Sequence, residues 1–252
     1  MVGAAPGCVM GTYPRREPIP GTAAPKLGGQ TLAVQPFVFQ LLPMLTPLVS
    51  LSVAVVAAYL LGSLSFAVIV SRLFGLSDPR TYGSKNPGAT NVLRSGNKGA
   101  AILTLVFDAL KGWLPAWLAA RWGTELGWPA IAAIAVGGGA FLGHLWPVFF
   151  RFEGGKGVAT AAGVLLGMSG WLGLACGLVW LVMAVVFRYS SLASLAAALA
   201  APALAAWMFG SAAVAVGVAA MSALLVWRHA ANISKLLAGT ESKIGQKAKP
   251  AA

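Results

Sequence analysis

The sequence predicts an all-α integral membrane protein of about seven transmembrane helices with short cytoplasmic loops, and three observations carry that prediction. Of its 252 residues, 58% are hydrophobic and only 10% charged, where soluble chains carry roughly a quarter charged residues. Residues 158–187 and 189–227 contain no charge at all. The remaining charges and glycines gather in three short islands, each at the end of an apolar run: Gly83-Ser84-Lys85-Asn86-Pro87-Gly88-Ala89-Thr90-Asn91 with Arg94, Gly154-Gly155-Lys156-Gly157, and Arg228-His229-Ala230-Ala231-Asn232.

The formal charge of +12 does not point to nucleic acid, because no basic face on a soluble module carries it. An excess of Lys and Arg in cytoplasmic loops explains it better. Cys8 and Cys176 are far apart, one of them in an apolar run, so neither a disulfide framework nor a metal site is expected.

Residues 1–42 are rich in Pro and Gly and carry Arg15, Arg16, Glu17 and Lys26. They show no helical period and no apolar signal core, so they read as a disordered extension. Met44 directly precedes the first apolar run, which suggests a mis-assigned start upstream. N-terminal sequencing of protein from the native gene tests that expectation. Residues 43–245 form the membrane domain and 246–252 a short basic tail.

A helix that crosses the bilayer core needs ~20 mostly apolar residues. The first span covers about 45–74, and a polar loop, about 75–98, holds the first island. The second span covers about 99–122 and ends near Arg121; a Gly-Thr-Glu-Leu-Gly turn leads to a third, about 128–142. The run 158–187 is too long for one upright helix, and residues 167–170 are the expected break. The run 189–227 divides near Gly210-Ser211. Seven helices put the loops holding Arg94, Lys156 and Arg188, and the tail after Arg228, on one side. Thirteen Lys and Arg from Arg72 to Lys249 then lie on that side, while Arg121 and the three N-terminal cations lie on the other. By the positive-inside rule the islands and the C-terminus face the cytoplasm and the N-terminus lies outside.

The islands offer groups that bind phosphate. Gly154, Gly155 and Gly157 allow successive N–H groups to turn toward one anion, and Lys156 adds a charge. Phe150 and Gly157 stand where a P-loop needs Gly and Ser/Thr. In the first island Ser84, Asn86, Thr90 and Asn91 supply hydrogen-bonding groups, Gly88 a hinge and Arg94 a forked donor. Read alone, Asn86-Pro87-Gly88 is a β-turn; between two membrane helices, so polar a segment is expected to be buried or to line a wet cavity. His229 and Asn232 share a face if the last helix continues through them, and Arg228 is expected to anchor that helix end at the headgroups. Asp108 and Lys111, three apart inside the second span, are read either as a mutual pair or as substrate contacts.

Glycine nests and cations do not name a reaction. No nucleophile elbow and no His-Glu-x-x-His cluster is present, neither His144 nor His229 is followed by Asp at the spacing of the soluble-facing glycerolipid acyltransferases, and six carboxylates in all give a carboxylate base little support. A transporter of phosphorylated solutes is the alternative, but it requires broken helices in two related halves, and no internal repeat is visible.

Beyond these features, residues 45–245 resemble the bacterial acyl-phosphate:glycerol-3-phosphate acyltransferase family, PlsY. The stretches that carry the likeness are Tyr59-Leu60-Leu61-Gly62-Ser63, the first island through Arg94, Asp108 with Lys111-Gly112, Gly143-His144 with Pro147-Val148-Phe149, Gly154 to Thr160, His229 with Asn232-Ile233, and Gly239-Thr240-Glu241 with Lys243. Two departures stand out: Ser65 where proline is common, and Glu153 where a cation is common.

The resemblance implies transfer of a fatty acyl chain from acyl phosphate to the sn-1 hydroxyl of glycerol 3-phosphate, giving lysophosphatidic acid and phosphate, the first acylation of phospholipid synthesis. It implies an enzyme of the bacterial cytoplasmic membrane that works as a monomer without metal or cofactor, its partners being glycerol 3-phosphate, acyl phosphate and membrane lipid. Carried over by motif, Ser84, Arg94, Lys156, His229 and Asn232 are the catalytic set. Asn86, Gly88, Asn91, Asp108, Lys111, Gly154, Gly155 and Gly157 are the substrate-binding set. The base is either His229 or a substrate phosphate oxygen, the latter favoured because Glu241, the one orienting carboxylate in view, is distant in sequence.

Overall fold

The computed structural model describes residues 26–27, 30–31 and 37–246, with side chains from Leu45 onward. In the first of two units, residues 1–43, β1 (Lys26–Leu27) pairs antiparallel with β2 (Gln30–Thr31), and α1 (Phe37–Gly62) begins. Most of the expected N-terminal extension, Cys8 and residues 247–252 lie outside the described residues.

The second unit carries the rest of α1, then α2 (Phe66–Leu73), α3 (Ala89–Leu93), α4 (Lys98–Trp122), α5 (Ala132–Leu145), α6 (Val158–Met168), α7 (Gly170–Phe187), α8 (Ser190–Phe209), α9 (Ala212–Arg228) and α10 (Ala230–Leu237). This is the expected all-helical membrane architecture. Among the described residues, five segments are long and apolar enough to cross a bilayer, or six if α9 and α10 count as one bent span. The expected count of about seven is not confirmed by length and composition. The apolar helix that falls short is α6, whose 11 residues extend only about 16 Å against a ~30 Å hydrocarbon core.

Two breaks fall where the composition places them. Ser169 separates α6 from α7, its Oγ accepting from the Leu172 N–H at 3.5 Å. Gly210 ends α8 with φ 60°. Two others do not follow from composition. The first apolar run, expected to be one helix, breaks at residues 63–65 between α1 and α2. The last helix does not continue through the third island but bends by 59° at His229.

The helices meet through small residues. A side chain at Gly112 or Gly163 would collide with the Thr160 or Ala109 carbonyl across α4 and α6, and one at Gly143 with the Tyr59 carbonyl across α5 and α1. Close backbone approach is how membrane helices gain dispersion contact without a hydrophobic driving force between them. The main core gathers Phe141, Leu145, Val164, Leu172 and Val218, while Val53, Leu105, Leu178, Val185 and Leu199 stay exposed as an apolar exterior suited to lipid.

Candidate active site

The glycine loop is set by what lies on each side of it. The chain leaves α5 through a short 3-10 turn at Val148–Phe150 and reverses with Arg151 and Phe152 both left-handed, bringing Gly154 to Gly157 back against the end of α5. Gly155 N–H donates to the His144 carbonyl at 3.1 Å. A Cβ on Gly155 would overlap the His144 ring and lie 3.0 Å from the Pro87 carbonyl, so the first and second islands touch here. Gly157, at φ 81°, starts α6 in a conformation that glycine alone adopts without cost. The first-turn N–H groups of α6, on Val158, Ala159 and Thr160, have no partner within the helix and carry its positive dipole end.

Arg228 grips the same loop from α9. Its Nε donates to the Gly155 carbonyl at 3.1 Å and its guanidinium to the Gly154 carbonyl at 2.7 Å. The expected headgroup anchor is therefore a clamp on the glycine loop. The expected ring of amides is also smaller than composition suggests, since the Gly155 N–H is already used.

Lys156 extends from this loop to the Asn232 Oδ1. The Asn232 amide passes the contact on, donating from Nδ2 to Glu241 Oε1 at 2.7 Å, which also accepts from Ser191 Oγ at 2.8 Å. Burial lowers the Lys156 ammonium to about 8; Glu241 opposes the shift, and Lys235, Arg94 and Arg228 reinforce it. His229 is 2% exposed, and its Nδ1 lies 2.8 Å from the Leu225 carbonyl. Since a carbonyl only accepts, Nδ1 carries the hydrogen and Nε2 is left as the ring's acceptor.

The first island arrives through the tail: Arg94 donates to Ser242 Oγ, next to Glu241. Ser84 is exposed at the rim, and among the described residues its hydroxyl has no partner. Asn86 and Gly88 form the tight corner beside it, Gly88 N–H donating to the Asn86 carbonyl at 2.9 Å. Asn91 has a different place from the one expected. It is 1% exposed; its Nδ2 donates to the Pro79 and Tyr82 carbonyls at 2.7 and 3.2 Å, and its Oδ1 accepts from Ser84 N–H at 3.0 Å. With those hydrogen bonds made, it holds the loop rather than a ligand. At the loop's edge Asp78 and Arg80 pair at 2.7 Å; the bond from Arg80 holds the Asp78 carboxyl below its usual range. Arg80 also lies 3.7 Å from Glu153, so that departure from the family pattern faces a cation of its own.

Asp108 and Lys111 form the mutual pair, one of the two expected readings. They are 2% and 3% exposed and bind each other at 2.8 Å, and Lys111 Nζ donates to the Leu64 carbonyl at 2.7 Å. Charge inside a membrane helix is costly unless paired, and Leu64 lies in the α1/α2 break, whose freed carbonyl needs a donor. The polar contacts of Asp108 and Lys111 are with each other, His144 and the Leu64 carbonyl. Composition did not single out His144, Arg228, Glu241 or Ser242 as site residues; the Gly239-Thr240-Glu241 tail was visible as a motif, but its return to Asn232 was not.

Among the described residues no group of three or more His, Cys, Asp or Glu converges as a metal site. What does come together is Lys156 with Arg94 and Arg228, near enough to act on its charge, beside the Asn232 amide and the N-terminus of α6. Such a set binds phosphate groups and stabilises charge that grows on one of them.

The sequence profile of glycerol-3-phosphate acyltransferases matches residues 52–239. A glycerol-3-phosphate acyltransferase of Burkholderia pseudomallei is 66% identical over 203 residues, 79% of this chain and 98% of that protein. The crystal structure of PlsY (YgiH), an integral membrane glycerol 3-phosphate acyltransferase, in its glycerol 3-phosphate form superposes with a TM-score of 0.72 at 39% identity, covering 78% of this chain and 96% of that one. Its lysophosphatidic acid form gives 0.70 at 38% identity, with the same coverage.

Proposed function

The chain belongs to the glycerol-3-phosphate acyltransferase family, and from that premise we propose that it takes its acyl chain from acyl phosphate, with Ser84, Arg94, Lys156, His229 and Asn232 as the catalytic set. It is a multi-pass membrane enzyme that acylates glycerol 3-phosphate to lysophosphatidic acid. One observation carries the residue assignment. Lys156 of the second island, Asn232 of the third and Glu241 of the tail form one hydrogen-bonded line, with Arg94 of the first held by the adjacent Ser242.

The sn-1 oxygen attacks the acyl carbonyl carbon, forming the ester bond. The bond from that carbon to the bridging oxygen breaks, and its electron pair leaves with inorganic phosphate. Lys156 and the first-turn N–H groups of α6 meet the charge that builds on the departing phosphate. Arg94, Ser84, Asn86 and Gly88 hold the phosphate of glycerol 3-phosphate, and His229 and Asn232 orient the glycerol hydroxyls. Acyl phosphate already has a good leaving group, so holding two anions together is the harder task; such positioning contributes ~7–11 kcal/mol to lowering the barrier.

The hydroxyl proton passes to a phosphate oxygen of the substrate. The Leu225 carbonyl on Nδ1 orients the His229 ring but, unlike a carboxylate, brings no charge to stabilise an imidazolium, and Glu241 is engaged by Ser191 and Asn232. The loops with the site and the C-terminus face the cytoplasm, the N-terminus lies outside, and the enzyme works as a monomer. The Lys and Arg distribution supports that sidedness.

Donor choice tests the reading. Purified enzyme given glycerol 3-phosphate with either palmitoyl phosphate or palmitoyl-CoA is expected to make lysophosphatidic acid from the phosphate alone. Product from palmitoyl-CoA alone would overturn the donor assignment.

A further inference from the structure

His144 sits under the glycine loop and has no part in the chemistry described. Its carbonyl accepts the Gly155 N–H at 3.1 Å, and its ring fills the space that a Gly155 side chain would need. Beneath it, Nδ1 lies 3.6 Å from Asp108 Oδ1, a contact too long for a hydrogen bond, and among the described residues that buried nitrogen has no hydrogen-bond partner. Asp108 is bonded to Lys111, and Lys111 to the Leu64 carbonyl in the α1/α2 break. Four separate segments, the α1/α2 break, α4, the end of α5 and the glycine loop, are thus stacked in one line of contacts that ends one residue before Lys156.

Three ionisable side chains inside the bundle need a reason beyond stability, because apolar residues of the same volume fill such a space at no desolvation cost. The line also complements the Arg228 clamp. Arg228 holds the loop by its Gly154 and Gly155 carbonyls, and His144 holds it by the Gly155 amide and from below. Between them, translation and tilt of the loop are both restrained.

We propose that His144, seated on the Asp108–Lys111 pair, is a positioning residue that sets the height of the glycine loop and so where Lys156 meets the phosphate of acyl phosphate. This rests on the reading of Lys156 and acyl phosphate above. A displacement of about 1 Å in a positioning group costs up to ~100-fold in rate, so loosening the floor is felt at Lys156 without removing it.

The test compares the wild type with His144→Ala and His144→Phe in detergent micelles, with folded fraction read by size exclusion. The rates are read as functions of palmitoyl phosphate, glycerol 3-phosphate and pH. Ala is expected to raise the KM for palmitoyl phosphate by roughly tenfold or more, leave the KM for glycerol 3-phosphate within about twofold, and move the alkaline midpoint that reports Lys156. Phe, which keeps the ring and loses the nitrogens, serves as the measured variant if Ala does not fold, by the same criteria. A palmitoyl phosphate KM and an alkaline midpoint both unchanged from the wild type, with kcat reduced only by the unfolded fraction, would overturn the proposal. Wild-type enzyme that makes no product from palmitoyl phosphate would instead remove the reading beneath it.

Discussion

Replacing Lys111 by Met probes the buried ion pair at the centre of the bundle. Asp108 is 2% exposed and its carboxylate has Lys111 at 2.8 Å and His144 at 3.6 Å. Removing the ammonium leaves that carboxylate without a cation in contact, a change that costs ~3–5 kcal/mol when a buried pair is broken. The Leu64 carbonyl loses its donor at the same time, a loss of ~1–3 kcal/mol that overlaps the first. Lys111→Met is therefore expected to destabilise the fold by at least ~3 kcal/mol. The double variant Lys111→Met/Asp108→Leu removes both charges and keeps only the orphaned carbonyl, so it is expected to cost ~1–3 kcal/mol, less than either single change. Reversible unfolding in mixed micelles at increasing SDS mole fraction measures all three. A Lys111→Met protein within about 1 kcal/mol of the wild type, or a double variant less stable than both singles, would refute the reasoning that this pair is a desolvated, mutually dependent unit.

Three further outcomes follow from the geometry. Lys156 is charged below its pKa of about 8 and neutral above it, so kcat/KM for palmitoyl phosphate is expected to fall as pH rises through that value. Lys156→Arg removes the fall, and Glu241→Gln, which takes away an attraction that favours the charged form, moves it to lower pH. Gly163→Leu drives a side chain into the Ala109 carbonyl and is expected to cost ~1–3 kcal/mol or more, whereas Gly138→Ala, which meets nothing within 4 Å, leaves micelle stability unchanged. Arg228→Lys is expected to fail to restore what Arg228→Ala loses, about ten- to hundredfold in kcat/KM, because one ammonium cannot reproduce a fork on two neighbouring carbonyls; steady-state kinetics of the two variants checks it.

Much of the architecture was legible because charge and glycine mark helix ends in a chain this apolar. Ser169 and Gly210 stand inside uncharged runs too long for one span, so their breaks could be placed. The break at residues 63–65 was hidden because nothing charged interrupts the run, and its stabilising donor, Lys111, comes from another helix. The bend at His229 was hidden for a similar reason: an Ala-rich stretch is as compatible with a straight helix as with a turn and restart. In the site, residue types announced phosphate chemistry, but which polar groups were already used did not follow from types. Asn91, Asp108 and Lys111 look like ligands in sequence and prove to be paired to the protein itself. Glu241 looks remote and proves to touch Asn232, since the chain turns back at Gly239 once α10 has ended.

The most direct measurement is the release of lysophosphatidic acid and inorganic phosphate together by purified enzyme supplied with glycerol 3-phosphate and palmitoyl phosphate, in parallel with folded Lys156→Ala. Equal amounts of the two products from the wild type and neither from the variant are expected if the joined islands hold both phosphates for direct acyl transfer. Phosphate released without lysophosphatidic acid, or a variant as active as the wild type, would contradict it.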